Sequence, residues 1–216
     1  MKQVLVFSGN PGVKTDFDMI FPHDHFEIYK TGKKYSGSRQ VVAYSLGCRQ
    51  FLRAMLDGDV VCDSAFFISP TIEAPSRISI VVFLLRKIIT SLFSKKLTVN
   101  FIKQSCAPNE LSPVAFSRIY DAYALKKVWQ NAITLKWQEQ NAVLVHKKLN
   151  LKKLSVVFGI DDVVVGWPQQ KEILQNYLNS STEFHEHGIN GAGHALLWTH
   201  VNIVKNQLIK TGFVYE

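Results

Sequence analysis

Short apolar runs alternate with polar, glycine-bearing segments over the first seventy residues of the chain. Runs of β-branched and aromatic residues bounded by turn-forming residues are typical of strands. This pattern predicts strands at residues 2–7, 25–29, 40–44 and 65–68. An apolar-periodic segment at residues 46–56, ended by Asp57-Gly58, predicts a helix.

The strand pattern then stops and resumes only near residue 154. Residues 112–146 have a helical period, with an apolar face of Phe116, Ile119, Tyr120, Tyr123, Val128 and Trp129. Further along, strands are predicted at 154–158 and 183–187, and helices at 168–178 and 199–209. Alternating strands and helices indicate an α/β fold, a mostly parallel sheet with helices on both faces. We therefore expect a compact core formed by residues 1–72 and 154–216, with residues 73–153 inserted above it as a helical cap.

The apolar segment at residues 78–93 is shorter than the roughly twenty residues of a bilayer span, and Arg86-Lys87 interrupts it. A transmembrane helix is therefore the least favoured interpretation. A lid helix over an apolar pocket is favoured, and an interfacial amphipathic helix is the alternative.

Composition and charge narrow the class of protein. The apolar fraction of 47% is that of a globular chain, and the N-terminal apolar run is too short for a signal peptide. The three cysteines form no C-x-x-C pair, so we expect neither a disulfide framework nor a zinc site, and a reducing, cytoplasmic location. The cap carries the excess charge: residues 77–153 hold 14 Lys and Arg against 3 Asp and Glu, whereas the whole chain is +8.

A basic region of this kind favours an acidic protein or an anionic surface as partner, with contact made by Lys95, Lys96, Lys126 and Lys127. The alternative is a solvated lysine-rich face without a partner. We expect no nucleic-acid partner, and peripheral membrane contact stays open.

Three motifs follow one another in a chemically meaningful order. The pentapeptide at 43–47 is an A-x-S-x-G variant of the nucleophile elbow, between a strand and a helix. Asp162 lies just past a later strand, and His194 lies in a glycine-flanked loop near the C-terminus. Ser, then Asp, then His is the chain order of α/β-hydrolase triads. The alternative for Ser45 is an ordinary helix N-cap.

Neighbouring residues extend the predicted site. By resemblance to α/β-hydrolases, in which the loop after the first strand supplies an oxyanion donor, the backbone N–H groups of Asn10 and Leu46 are the candidate donors. Pro11 has no N–H. Asp162 fits a G-x-x-D-x-x-V pattern, with Asp161 as the alternative acid. His185 and His187 alternate on a predicted strand without a visible third ligand, so we expect no metal site.

With these motifs, the sequence resembles the α/β-hydrolase superfamily over residues 2–70 and 154–212. The compact layout is similar to the short esterases of biotin synthesis, which cleave the methyl ester of pimeloyl-acyl carrier protein. The Gly-Asn-Pro-Gly loop is also similar to that of lipid-droplet-associated hydrolases. Departures are Ala43 in place of glycine, Ser8-Gly9 in place of His-Gly, and the missing opening hairpin.

The resemblance implies Ser45 as nucleophile, His194 as base and Asp162 as acid, without a cofactor. The expected function is serine hydrolysis of a carboxylic ester or thioester, with an acyl chain on an acidic carrier protein as the specific substrate. Two alternatives remain: an inactive hydrolase scaffold that binds an acidic partner, and a lipase-like enzyme at anionic membranes.

Overall fold

A parallel sheet forms the centre of the molecule. The computed structural model describes residues 4–9, 12–22, 25–35, 40–72, 79–141 and 147–213. The strands are β1 (Val4–Phe7), β2 (Phe26–Ile28), β3 (Gln40–Tyr44), β4 (Ser64–Ile68), β5 (Lys153–Gly159) and β6 (Glu183–Ile189). They form one six-stranded sheet in the order β2-β1-β3-β4-β5-β6, and every pair is parallel. The chain therefore brings the carboxyl ends of all these strands to one edge.

Helices cover both faces of this sheet. They are α1 (Thr15–Asp18), α2 (Leu46–Leu56), α3 (Ile80–Cys106), α4 (Pro113–Tyr123), α5 (Lys126–Asn141), α6 (Trp167–Gln175), α7 (Leu196–Thr199) and α8 (Val201–Lys210). Side chains alternate between the two faces along a strand, so each strand contributes to two cores. One core joins Val42 and Phe66 to α1, α7 and α8, and the other joins Val41 and Phe67 to α2 and α6.

Along the chain, helices α3, α4 and α5 come after β4 and before β5, in the segment that the sequence predicts to be the cap. Their inner residues continue the first core: Ile102, Ile119 and Tyr123 belong to the same cluster as Val42 and Phe66 of the sheet. Helix α3 has non-helical backbone angles at Phe93 (φ −119°, ψ 23°), which divide it into two halves. In the described residues, no helix combines the length and the apolar character that crossing a bilayer requires.

The main differences from the predicted elements concern short helices and their boundaries. Helix α1 was not expected, although its Phe17 is fully buried in the first core. The helical segment predicted at 112–146 is two helices, because the chain leaves the helix at Ala124-Leu125; residues 142–146 lie outside the described residues. The C-terminal helix is likewise preceded by the separate turn α7. Local period does not signal these breaks.

Candidate active site

Ser45 lies on a strained turn between β3 and α2. Its backbone has φ 53° and ψ −126°, a conformation that costs a non-glycine residue about 1–3 kcal/mol. Its N–H donates to the Ile68 carbonyl of the neighbouring strand at 2.9 Å, which holds the turn in place. The side chain makes no N-cap hydrogen bond to α2. Ser45 therefore occupies the N-cap position of α2 without capping the helix through its hydroxyl, which distinguishes it from an ordinary N-cap.

Two glycines allow the backbone to pack tightly around this turn. A Cβ on Gly47 would collide with the carbonyl of Phe7 at the end of β1. A Cβ on Gly9 would lie 2.9 Å from the Cβ of Ser45. The glycine of the A-x-S-x-G pattern, Gly47, is thus required because any side chain there would collide with the neighbouring strand β1.

His194 lies in the loop between β6 and α7 and is 4% exposed. Its Nε2 is 2.8 Å from Ser45 Oγ, and its Nδ1 is 2.7 Å from Asp162 Oδ2. The structure therefore brings the three predicted residues into one hydrogen-bonded chain, with Ser45 and Asp162 on opposite nitrogens of the imidazole. This arrangement fixes the proton on Nδ1 and leaves Nε2 free to accept the proton of the serine hydroxyl.

The two neighbouring aspartates have different partners. Asp162 Oδ1 accepts the N–H groups of Val164 at 2.8 Å and Val165 at 2.9 Å, which leaves Oδ2 directed at His194. Asp161 instead accepts the Gly191 N–H at 2.8 Å through Oδ2. It therefore fixes the start of the loop at residues 190–195, the histidine loop, which carries His194. The geometry therefore favours Asp162 over Asp161 as the partner of the imidazole.

The predicted oxyanion donors are only partly within the described residues. Leu46 is the first residue of α2, and the first N–H groups of a helix have no intrahelical acceptor. Its N–H is thus suited to bind a developing negative charge beside Ser45. Asn10 lies outside the described residues, so its role stays a prediction.

The cap holds the histidine loop from above. The Ala195 N–H donates to the Ser105 carbonyl of α3 at 2.8 Å, and the Asn109 side chain donates to the Gly191 carbonyl at 2.6 Å. A Cβ on Gly193 would collide with the Ala107 carbonyl. The end of α3 therefore helps to position His194, a contribution that no local motif signals.

A buried polar cluster not predicted from the sequence connects the cap to the core beneath it. Asp16 of α1 accepts hydrogen bonds from the Tyr123 hydroxyl at 2.6 Å and from Trp198 Nε1 at 3.2 Å. Burial raises the pKa of Asp16 to about 7, against the lowering effect of these hydrogen bonds. The spacing of Tyr123 predicts a core position, but the sequence around Asp16 gives no signal that this carboxyl is buried.

The other predicted residues lie away from the hydrogen-bonded chain. Lys95 and Lys96 on α3, and Lys126 and Lys127 on α5, are all exposed. On β6, His185 Nε2 pairs with Glu183 Oε1 at 2.5 Å. Across the described part of the chain, no three His, Cys, Asp or Glu side chains are grouped to hold a metal ion.

The sheet order and the turn at Ser45 define the α/β-hydrolase fold, which confirms the predicted fold class. No protein-family model matches the chain, and no curated protein sequence matches it. Solved structures do match over almost its whole length.

An esterase from Thermogutta terrifontis is similar with a TM-score of 0.72 and 12% identity, over 97% of this chain and 89% of that one. The enol-lactonase of Burkholderia xenovorans LB400 is similar with a TM-score of 0.70 and 10% identity, over 99% and 92%. An α/β-hydrolase fold protein from Burkholderia ambifaria has a TM-score of 0.63 and 14% identity, over 97% and 90%. At such identities these similarities establish the fold alone.

Proposed function

We propose that this protein is a serine hydrolase that cleaves a carboxylic ester or thioester through an acyl-enzyme. The observation that supports this proposal is the hydrogen-bonded chain from Ser45 through His194 to Asp162, at the strained turn of an α/β-hydrolase fold. The esterases among the similar structures are consistent with it.

In the first half of the reaction, Ser45 Oγ attacks the carbonyl carbon while His194 Nε2 takes the hydroxyl proton. The 2.8 Å separation of these two atoms is within hydrogen-bond reach of a general base. The resulting imidazolium is stabilised by Asp162, and the Leu46 N–H stabilises the oxyanion. The bond to the alcohol or thiol then breaks, and the leaving group departs with the proton from His194.

In the second half, a water molecule attacks the acyl-enzyme. His194 removes one proton from this water and returns it to Ser45 Oγ as the carbonyl–oxygen bond breaks. The products are a carboxylic acid and a regenerated serine hydroxyl. These reaction steps need no cofactor, since the proton passes only between Ser45, His194, water and the leaving group.

The proposal is tested by kinetics with p-nitrophenyl butyrate. We expect Ser45→Ala to lower kcat by about 10⁴-fold or more, because the nucleophile is lost while the fold is retained. Ser69→Ala is the matched control. Ser69 is also buried with a positive φ of 44° at the end of the next strand, and its hydroxyl has no hydrogen-bond partner among the described residues. Equal activity of Ser45→Ala and Ser69→Ala would contradict the proposal.

A second, narrower candidate is hydrolysis of an acyl ester carried by an acidic acyl carrier protein, such as the pimeloyl methyl ester of biotin synthesis. The four exposed lysines of α3 and α5 favour it, because cations on a surface attract an acidic protein. We propose Lys95, Lys96, Lys126 and Lys127 as its contact residues. The salt dependence of hydrolysis of the carrier-bound ester tests this candidate separately from the chemistry at Ser45.

A further inference from the structure

The first half of α3 exposes apolar side chains that a folded protein normally buries. Of the seventeen large apolar residues that are exposed in the described part of the chain, nine lie within residues 80–93. One set recurs at helical spacing and is between 53% and 71% exposed. This set, the apolar stripe, is Val81, Leu84, Leu85, Ile88 and Leu92.

The opposite face of the same helix half is the one that packs on the cap. Phe83 contacts Trp137 of α5 with ring centroids 5.0 Å apart, and Thr90 is buried. The usual amphipathic arrangement therefore does not explain the apolar stripe, since the helix already has a packed inner face and the stripe points outward. A contiguous exposed apolar surface of this kind marks an interaction site.

The charges around the apolar stripe are all of one sign. Residues 79–109 contain five cations, which are Arg86, Lys87, Lys95, Lys96 and Lys103, and no aspartate or glutamate. Lys87 lies over the inner ring of Phe83, but Lys95 and Lys96 are exposed about one turn beyond Leu92. An outward apolar face next to exposed lysines is the arrangement of helices that lie in the interface of anionic membranes. The apolar side chains enter the boundary of the acyl chains, and the cations remain at the phosphate groups.

An acidic carrier protein fits this surface less well. It would satisfy the exposed cations Lys95 and Lys96 but would leave the five apolar side chains of the stripe in contact with a charged surface.

We propose that the outer face of α3 between Ile80 and Phe93 docks the protein on an anionic lipid surface. The helix lies parallel to that surface, with the apolar stripe inserted about 5–10 Å into the boundary between headgroups and acyl chains. The proposal is independent of the chemistry at Ser45. It places the cap, whose far end holds the His194 loop, against the membrane.

The test is flotation of the full-length protein with vesicles of phosphatidylcholine mixed with phosphatidylglycerol. We expect the wild type to float with these vesicles. The variant Leu84→Gln/Ile88→Gln/Leu92→Gln should bind them at least about 100-fold more weakly, because its three polar side chains no longer bury apolar surface in the lipid. The matched control, Val61→Gln/Ile203→Gln/Ile209→Gln, changes three exposed apolar residues outside α3 and should bind as the wild type does.

The charge dependence is a second arm of the same experiment. Lys95→Gln/Lys96→Gln should lower binding to the mixed vesicles by about 30-fold, since each cation near an anionic surface contributes about 1 kcal/mol. Binding to pure phosphatidylcholine should be weak and unaffected by this change. Ser45→Ala should float as the wild type does, and the stripe variant should retain hydrolysis of p-nitrophenyl butyrate.

Three outcomes would overturn the proposal. The first is wild-type protein that stays out of the vesicle fraction, and the second is a stripe variant that floats as well as the control variant. The third is a different occupant: a dimer in sedimentation equilibrium, or a complex with an acidic acyl carrier protein, that the stripe variant abolishes while vesicles bind neither form. A failure of Ser45→Ala to lose activity would leave this proposal untouched.

Discussion

At the scale of single residues, the site depends on how Asp162 divides its two carboxylate oxygens. Oδ1 is occupied by the N–H groups of Val164 and Val165, and Oδ2 faces His194 Nδ1. The backbone thus fixes the carboxylate so that one oxygen is available to the imidazole. An acceptor at this position requires a proton on Nδ1, and only that tautomer leaves Nε2 able to accept from Ser45.

Replacing the acceptor by a donor should therefore disable the base. In Asp162→Asn the amide oxygen still satisfies the Val164 and Val165 N–H groups, so the NH₂ group faces His194 and forces the proton onto Nε2. We expect kcat for p-nitrophenyl butyrate to fall by about 10⁴-fold, as in the Ser-His-Asp template. Asp161→Asn should have little effect, because its side-chain oxygen can still accept the Gly191 N–H. The reverse ranking in kcat would move the acid to Asp161.

The buried carboxyl of Asp16 should give stability a distinct pH dependence. Its pKa is raised from 3.8 to about 7 by burial, so the folded state favours the protonated acid. The contribution of Asp16 is fully present below about pH 4 and is lost as the pH rises to about 7. Asp16→Asn removes this titration. The variant should therefore gain stability relative to wild type over that range, on the order of 4 kcal/mol.

Urea unfolding of both proteins at several pH values measures this difference in the free energy of unfolding. Two stability curves that run parallel from pH 4 to pH 8 would show that Asp16 titrates with an ordinary pKa in the folded protein.

At the scale of elements, the apolar runs predicted the central strands well because these strands are buried on both faces. The pattern at residues 40–44 and the following helix at 46–56 agree with β3 and α2 at both ends. The pattern predicts β6 only at 183–187, whereas the strand continues to Ile189, because Gly188 indicates the end of a strand. The short helix α1 was missed because four residues contain too few turns to show a period.

The hydrogen-bonded chain could be anticipated from three local motifs and their order, whereas its supports could not. The contacts of Asn109 and Ser105 with the histidine loop, and of Tyr123 with Asp16, join residues separated by between 82 and 107 positions. Nothing in the local sequence encodes which cap residues will meet which core residues. The sequence also does not show that the apolar stripe is exposed. A helix that covers an apolar pocket and a helix that lies on the protein surface can have the same apolar composition.

A buried ion pair joins the cap helix α5 to the core helix α2. Glu139 is fully buried and lies 2.9 Å from Arg53 Nη1, with Arg49 Nε at 3.9 Å. Glu139→Gln should lower the free energy of unfolding by about 3 kcal/mol, because removing one partner leaves buried arginine charge uncompensated. The control is Lys152→Gln, which breaks an exposed pair with Asp63 and should cost less than about 1 kcal/mol. Chemical denaturation of both variants compares the two, and similar costs would show that Glu139 does not hold the cap.

At the scale of the whole molecule, the charge is concentrated where a partner would approach the cap. Residues 77–153 have a net charge of +11, although the whole chain has only +8. Such a field increases the encounter rate with an anionic partner and is screened by salt over roughly 8 Å at physiological ionic strength. A small neutral ester should not sense it.

The carrier-bound substrate should therefore respond to salt. Raising the salt concentration should lower kcat/KM for an acyl ester on an acidic carrier protein and leave that for p-nitrophenyl butyrate nearly unchanged. Changing Lys95, Lys96, Lys126 and Lys127 to glutamate should slow only the carrier-bound substrate. Steady-state kinetics at low and high salt measures both responses. Equal salt dependence for the two substrates would remove the support for the carrier protein as partner.

Mass spectrometry after treatment with a fluorophosphonate probe shows directly whether Ser45 is the nucleophile that His194 activates. We expect a single adduct on the peptide that contains Ser45. Labelling should be absent in Ser45→Ala and strongly slowed in His194→Ala, while both variants keep the circular dichroism spectrum of the wild type. An adduct on another residue, or labelling that persists in folded Ser45→Ala, would show that Ser45 is not the nucleophile.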